Sequence, residues 1–191
     1  QPILLCYLST HTSGLPELPE GWGWATLSQV GFLDRGKSKN RPRNAPHLYG
    51  GPYPFIQTGD IRHAGGTVRS FTQTYSDAGL AQSKLWAKGT LCITIAANIA
   101  ETAILGLDAC FPDSVVGFLS AGDAVSVFYV ELYIRTVQAR LEQFAPATAQ
   151  KNINLETLND VAICVPPTVE QTEIVAQVEA KLSNIAQAET E

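Results

Sequence analysis

Lys88-Gly89-Thr90 opens onto Leu91-Cys92-Ile93-Thr94-Ile95-Ala96, a run of β-branched and apolar side chains behind a glycine, which is the composition of a strand. Working outward from it, residues 55–61 and 67–72 carry the same β-branched and aromatic types between glycines, and residues 102–107 and 114–119 continue a strand-rich middle. Residues 77–87 predict a short helix, and residues 24–32 a short helix or strand. Residues 37–54 read as loop, because they hold several prolines among charges and histidines. The character changes after residue 119. Val130, Ile134, Val137, Leu141 and Phe144 recur at helical spacing and fall on one face of a helix that must stop before Pro146. Residues 155–158 predict a helical turn, and residues 161–165 a strand ended by Pro166 and Pro167. Thr168 followed by Gln171 then predicts a capping box that starts another helix. The expected class is a mixed α/β domain with a strand-rich middle and a helix at the C-terminal end.

Composition bounds the function. The chain has 191 residues and 20.6 kDa, room for one ordinary domain. Charged residues make up 16% and apolar residues 45%, against roughly 25% charged in an average globular chain, which excludes disorder as the main state. The longest apolar stretch, residues 125–130, falls well short of the roughly 18 residues that span a bilayer, so no membrane segment is expected. The chain starts at Gln1 and contains no Met, so it is expected to be an excerpt or a processed product, and residues 1–9 lack the basic region of a signal peptide. Residues 1–18, with Ser9, Thr10, Thr12, Ser13, Gly14 and Pro16, read as a linker, and the domain is expected to begin at residue 19. Cys6, Cys92, Cys110 and Cys164 are scattered and are expected to be free thiols. His11, His47 and His63 stand alone, so neither a metal nor any other cofactor is expected.

The formal net charge of −5 conceals two opposite regions. Between residues 31 and 69, Arg35, Lys37, Lys39, Arg41, Arg43, Arg62 and Arg69 face only Asp34 and Asp60, a local charge of +5; residues 156–191 carry −6. Local charge rather than the net decides where phosphate docks. Lys37, Lys39, Arg41 and Arg43 are therefore the expected phosphate contacts. Asn44 and Arg62 are of types that hydrogen-bond base edges. A solvated loop is the plainer alternative.

Catalytic patterns fail on their context. Residues 31–38, GFLDRGKS, fit the phosphate-loop spacing, but no helix can follow through Pro42 and Pro46, so nucleotide hydrolysis is a weak alternative. No serine stands in a nucleophile elbow, and Val165-Pro166-Pro167-Thr168 lacks both outer residues of the Asn-Pro-Pro-aromatic loop of adenine methyltransferases. The chain is expected to catalyse nothing by itself. In the last helix, Val175, Val178, Leu182 and Ile185 form an apolar seam that needs a partner, either the chain's own domain or another helix in a coiled coil.

Several runs in order resemble the target recognition domain of a type I restriction-modification specificity subunit. They are Leu18-Pro19-Glu20-Gly21-Trp22-Gly23-Trp24, then Pro54-Phe55-Ile56-Gln57-Thr58-Gly59-Asp60-Ile61, then Lys88-Gly89-Thr90-Leu91-Cys92-Ile93 with Ala97-Asn98-Ile99-Ala100-Glu101-Thr102-Ala103-Ile104 as a hairpin. Ala149-Gln150-Lys151-Asn152-Ile153-Asn154-Leu155 and Val165-Pro166-Pro167 with Glu170-Gln171 and Ile174-Val175 complete the series. The resemblance implies a recognition domain over residues 19–167 and the start of a spacer helix over 168–191. It implies a cytoplasmic, non-catalytic DNA-binding module that reads one half of a bipartite duplex target. The implied partners are methyltransferase subunits, a restriction and translocase subunit, and a second recognition domain or second copy paired through the spacer. It adds Gln57, Lys151 and Asn152 to the DNA-facing residues. Such subunits normally carry two recognition domains, and this chain has one and no internal repeat, so half a subunit and a shortened self-pairing form both remain open. A protein-interaction module docking through its last helix is the alternative from another class.

Overall fold

The computed structural model describes residues 15–96, 98–144 and 152–188. In chain order the strands are β1 (Gly23–Thr26), β2 (Gly31–Arg35), β3 (Tyr49–Phe55), β4 (Thr67–Val68), β5 (Gln73–Tyr75) and β6 (Leu85–Trp86), followed by β7 (Leu91–Thr94), β8 (Thr102–Leu105), β9 (Ala109–Cys110), β10 (Val115–Ser120) and β11 (Ala162–Val165). The helices are α1 (Leu27–Val30), α2 (Thr58–Arg62), α3 (Asp77–Ala81), α4 (Val127–Phe144), α5 (Leu155–Asn159) and α6 (Thr168–Ala188), with a 3-10 turn at Pro46–Leu48.

A five-stranded sheet ordered β2-β10-β7-β8-β4 forms the centre, and both its faces are covered. Along β7, Leu91 and Ile93 join the core beneath α4, whereas Cys92 points the other way, toward Trp86, Phe111 and Leu105. Because strand side chains alternate between faces, two buried faces require the unbroken apolar run seen in the sequence. The second face lies against a four-stranded sheet ordered β5-β3-β9-β6. On α4, Val130, Ile134, Val137 and Leu141 are all buried, as their spacing predicts; the side chain of Phe144 lies outside the described residues, as do residues 1–14 with Cys6, His11 and most of the expected linker.

The two ends of the domain meet. β1 pairs antiparallel with β11, Gly23 opposite Val165 through Thr26 opposite Ala162. The Trp22 indole donates to Glu170 Oε2 at 2.8 Å, tying the domain start to the first turn of α6.

Five expectations are corrected. Residues 55–61 are not one strand: β3 ends at Phe55 and Thr58–Arg62 is a helix, because Gln57 and Asp60 form a capping box in which the Gln57 backbone N–H donates to Asp60 Oδ2 at 2.8 Å. Residues 49–54 are strand rather than loop. Pro52 and Pro54 are tolerated because β3 meets β9 only at Phe55, and its ladder with β5 is interrupted between Tyr49 and Tyr53. Residues 67–72 yield only the two-residue β4, and the helix expected over 77–87 ends at Ala81, leaving Leu85–Trp86 to form β6. Thr168 and Gln171 do not make a capping box. Thr168 lies inside α6, and the fully buried Gln171 accepts from the Ser126 amide (2.8 Å) and donates to Ala124 O (2.9 Å) and Pro166 O (2.9 Å). The turn before α4 presents two backbone groups to this face of α6, and a glutamine amide can satisfy both. The phosphate-loop spacing is also without substance: residues 31–35 are β2, and a Cβ on Gly31 would meet the Phe118 ring at 2.1 Å, so that glycine serves strand packing.

The apolar seam of α6 divides. Ile174 and Val175 pack against the main core and Val178 is half-buried, while Leu182 and Ile185 remain 43% and 56% exposed.

Candidate nucleic-acid interface

The basic loop between β2 and the 3-10 turn is held at many points. The Gly36 amide donates to Val115 O, the Lys37 amide to Phe111 O and the Asn40 amide to the Gln82 side chain, while Ser83 Oγ donates to Lys37 O. Lys37 and Lys39 keep exposed side chains that form no ion pair among the described residues. Arg41 is also exposed, and its guanidinium donates to Ser38 O and Asn40 O at 2.8 Å each, which braces the loop. Arg43 pairs with Asp113 at 2.8 Å, with both side chains nearly half exposed.

Behind this loop lies an open cleft of about 340 Å³. Arg43, Asn44 and Gln57 line it together, joined by Tyr49, Thr58 and Gln73, none of which the sequence singled out. Gln57 Nε2 donates to Gln73 Oε1 at 2.8 Å, which links the start of α2 to β5. The floor is aromatic: Phe55 stacks on Tyr75 with ring centroids 4.0 Å apart, and Tyr49 lies 5.2 Å from Tyr75. Tyr49 donates its hydroxyl to Arg43 O at 2.7 Å, and burial, reinforced by Tyr75, raises its pKa, so it remains a neutral donor. Rigid stacked rings under polar side chains hold those side chains in place before any ligand arrives.

The remaining sequence candidates are dispersed. Arg62 sits at the far end of α2 from Gln57, where its Nε lies 3.6 Å from Glu101, beside the groove lined by Glu131, Arg135 and Leu182. Asn152 is exposed and bridges Ala96 through the backbone. Its neighbour Ile153 donates to Ile95 O, and Ile95 donates to Ser114 O on the cleft wall. Lys151 lies outside the described residues. Gln73 is exposed and belongs to a three-residue strand, so no local signal marks it; only the register of β5 on β3, Gln73 opposite Phe55, brings it to Gln57.

Some of the positive charge is neutralised within the domain. Asp34 accepts from Lys84 at 2.8 Å. Burial pushes its carboxyl up, but the bond to Lys84, the charges of Lys84 and Lys37, and the Arg35 amide outweigh it and hold the pKa below its ordinary value. Lys84 also lies 3.7 Å from the centre of the Trp86 ring, so this cation belongs to the core edge and not to the open face. Cys92 and Cys110 are free and buried and Cys164 is free and half-buried; no group of metal-ligating side chains occurs among the described residues.

Comparison with known proteins identifies the family and the fold. The family model described as the type I restriction modification DNA specificity domain matches residues 19–189. The fold is similar to the crystal structure of the HsdS subunit from Thermoanaerobacter tengcongensis, with a TM-score of 0.72 and 23% identity over 96% of this chain and 42% of that one. A structure bearing on complex assembly and conformational transition of the type I R-M system matches with a TM-score of 0.72 and 24% identity, over 92% of this chain and 43% of that one. The S subunit of a type I restriction-modification system from M. genitalium matches with a TM-score of 0.61 and 15% identity, over 90% of this chain and 43% of that one. The chain therefore spans less than half the length of each of these structures.

Proposed function

The chain belongs to the type I restriction modification DNA specificity domain family, and from that premise we propose that it binds duplex DNA sequence-specifically, reading one half of a bipartite target without catalysing chemistry itself. The observation that carries this reading is the convergence of Arg43, Asn44 and Gln57 in one cleft, behind a braced loop whose Lys37 and Lys39 face solvent. Cations at the rim suit phosphate, and amides inside suit base edges. Residues 19–167 act as the recognition domain, with residues 1–18 a linker and 168–191 the start of a spacer. The partners are methyltransferase subunits, a restriction and translocase subunit, and a second recognition domain or second copy. Leu182 and Ile185 are the exposed part of the seam for helix pairing, and Val175 and Val178 continue it into the domain. The site of action is the cytoplasm, where the DNA is; no described helix is long and apolar enough to cross a membrane.

The test is duplex DNA binding by the assembled enzyme as a function of salt, comparing the parent with the Lys37→Ala, Lys39→Ala double variant. If both lysines neutralise phosphate, the slope of log affinity against log salt falls by about 1.8, at roughly 0.9 per contact, with the preferred sequence unchanged. An unchanged affinity and slope would make the loop a solvated face.

A further inference from the structure

We infer that Gln73 is a specificity-determining residue and that the Gln57–Gln73 pair reads the acceptor-only edge of a guanine in the major groove; this rests on the DNA-binding role proposed above. The orientation of a glutamine amide is assigned from the partners it must satisfy. The Gln57 side chain faces the backbone amide of Asp60 in the capping box of α2, and a backbone N–H can only donate. The Gln57 oxygen is thereby turned toward the helix and its nitrogen outward. That nitrogen meets Gln73 at 2.8 Å, so Gln73 must present its oxygen to Gln57 and leave its own NH₂ directed away. A cap on one element thus dictates the polarity of an exposed side chain on another.

What the glutamine pair directs outward is one-sided. Both N–H groups of Gln73 and the second N–H of Gln57 are donors, and among the described residues nothing accepts from the Gln73 nitrogen. Arg43, on the same cleft, adds further donors while Asp113 holds it in place. Of the four base edges in the major groove, guanine offers two adjacent acceptors, O6 and N7, and no donor. Adenine pairs an acceptor with a donor, cytosine offers a donor, and thymine offers one acceptor beside a methyl group. An amide pair whose outward-directed groups are N–H donors therefore favours guanine and sets a donor against a donor at adenine or cytosine.

The experiment is selection from a pool of duplexes with a randomised stretch, carried out on the complete protein with the parent, Gln73→Ala and Gln73→Glu. Gln73 is exposed, so both variants should melt with the parent. The parent should enrich a motif containing guanine. Gln73→Ala should weaken the preference at one guanine column by roughly 5- to 150-fold, the span expected for one bidentate contact. Gln73→Glu, which replaces the donor by an acceptor, should move that same column toward cytosine. A motif unchanged in both variants, a uniform loss of affinity across all columns, or an altered column that is not guanine in the parent would overturn the inference while the DNA-binding role stands. A parent that enriches no motif would overturn both.

Discussion

Gln171→Leu should be the most informative single change to the attachment of the spacer helix. Gln171 is fully buried in the first turn of α6 and makes three hydrogen bonds, all to backbone: Ser126 N at 2.8 Å, Ala124 O at 2.9 Å and Pro166 O at 2.9 Å. Leucine has similar bulk and no polar atom, so packing is nearly conserved and the three bonds are lost. At a net of about 0.5 to 1.5 kcal/mol per bond the destabilisation sums to about 1.5 to 4.5 kcal/mol. The Pro166 end should contribute most, since that residue is buried and its carbonyl gains no water in exchange. For a domain of this size the loss corresponds to a melting point lower by roughly 3 to 18 °C. Gln171→Glu separates hydrogen bonding from bulk: it keeps an acceptor for Ser126 but turns an oxygen toward two carbonyls, and should be at least as destabilising. Denaturant melts give the free energies, and hydrogen exchange at the start of α6 should accelerate in both variants. A Gln171→Leu protein within about 0.5 kcal/mol of the parent, the range of an ordinary surface substitution, would refute the reasoning.

Other changes probe the core, the buried carboxyl and the seam. A Cβ on Gly117 would meet Trp86 Cζ3 at 2.6 Å and Phe111 Cζ at 2.9 Å. Gly117→Ala should therefore cost about 1 to 3 kcal/mol by overpacking and disturb the Trp86–Phe111 stack, read in melting and tryptophan fluorescence; an unperturbed spectrum would contradict it. Burial raises the Glu131 pKa despite the Thr102 bond and the Arg135 charge, with Glu179 adding to the rise. A carboxyl raised on folding stabilises most below its ordinary value of 4.5, and that contribution is lost as pH climbs through the raised value. Glu131→Gln should thus gain stability relative to the parent as pH rises above 4.5, and a difference that stays constant with pH would exclude this. Leu182→Glu, at an exposed position, should leave the domain's melting within about 0.5 kcal/mol but weaken pairing of the spacer helix, measured by sedimentation of the assembled enzyme. Intact assembly would remove Leu182 from the interface.

What the sequence by itself determined is local and periodic. The buried stripe of α4 follows from the spacing of Val130, Ile134, Val137 and Leu141, because a helix returns to the same face every three to four residues. The unbroken run at Leu91–Thr94 marks a strand covered on both faces, and the double proline marks the boundary between β11 and α6. Charge density located the basic loop, and the order of motifs identified the family. The tertiary structure decided the rest, because a polar side chain takes its role from whatever distant backbone lies opposite it. Gln171 has the spacing of a cap, yet the turn before α4, some 45 residues away, converts it into a brace. Arg41 counts as one more cation in the sequence, but in the fold its guanidinium also bonds the carbonyls of Ser38 and Asn40 and so braces the loop. Gln73 carries no local signal and reaches Gln57 only through the pairing of β5 with β3. Tyr49–Phe55 is a strand against its own composition, since prolines are excluded from a strand only where a neighbour needs their missing N–H, and here β9 meets the strand only at Phe55.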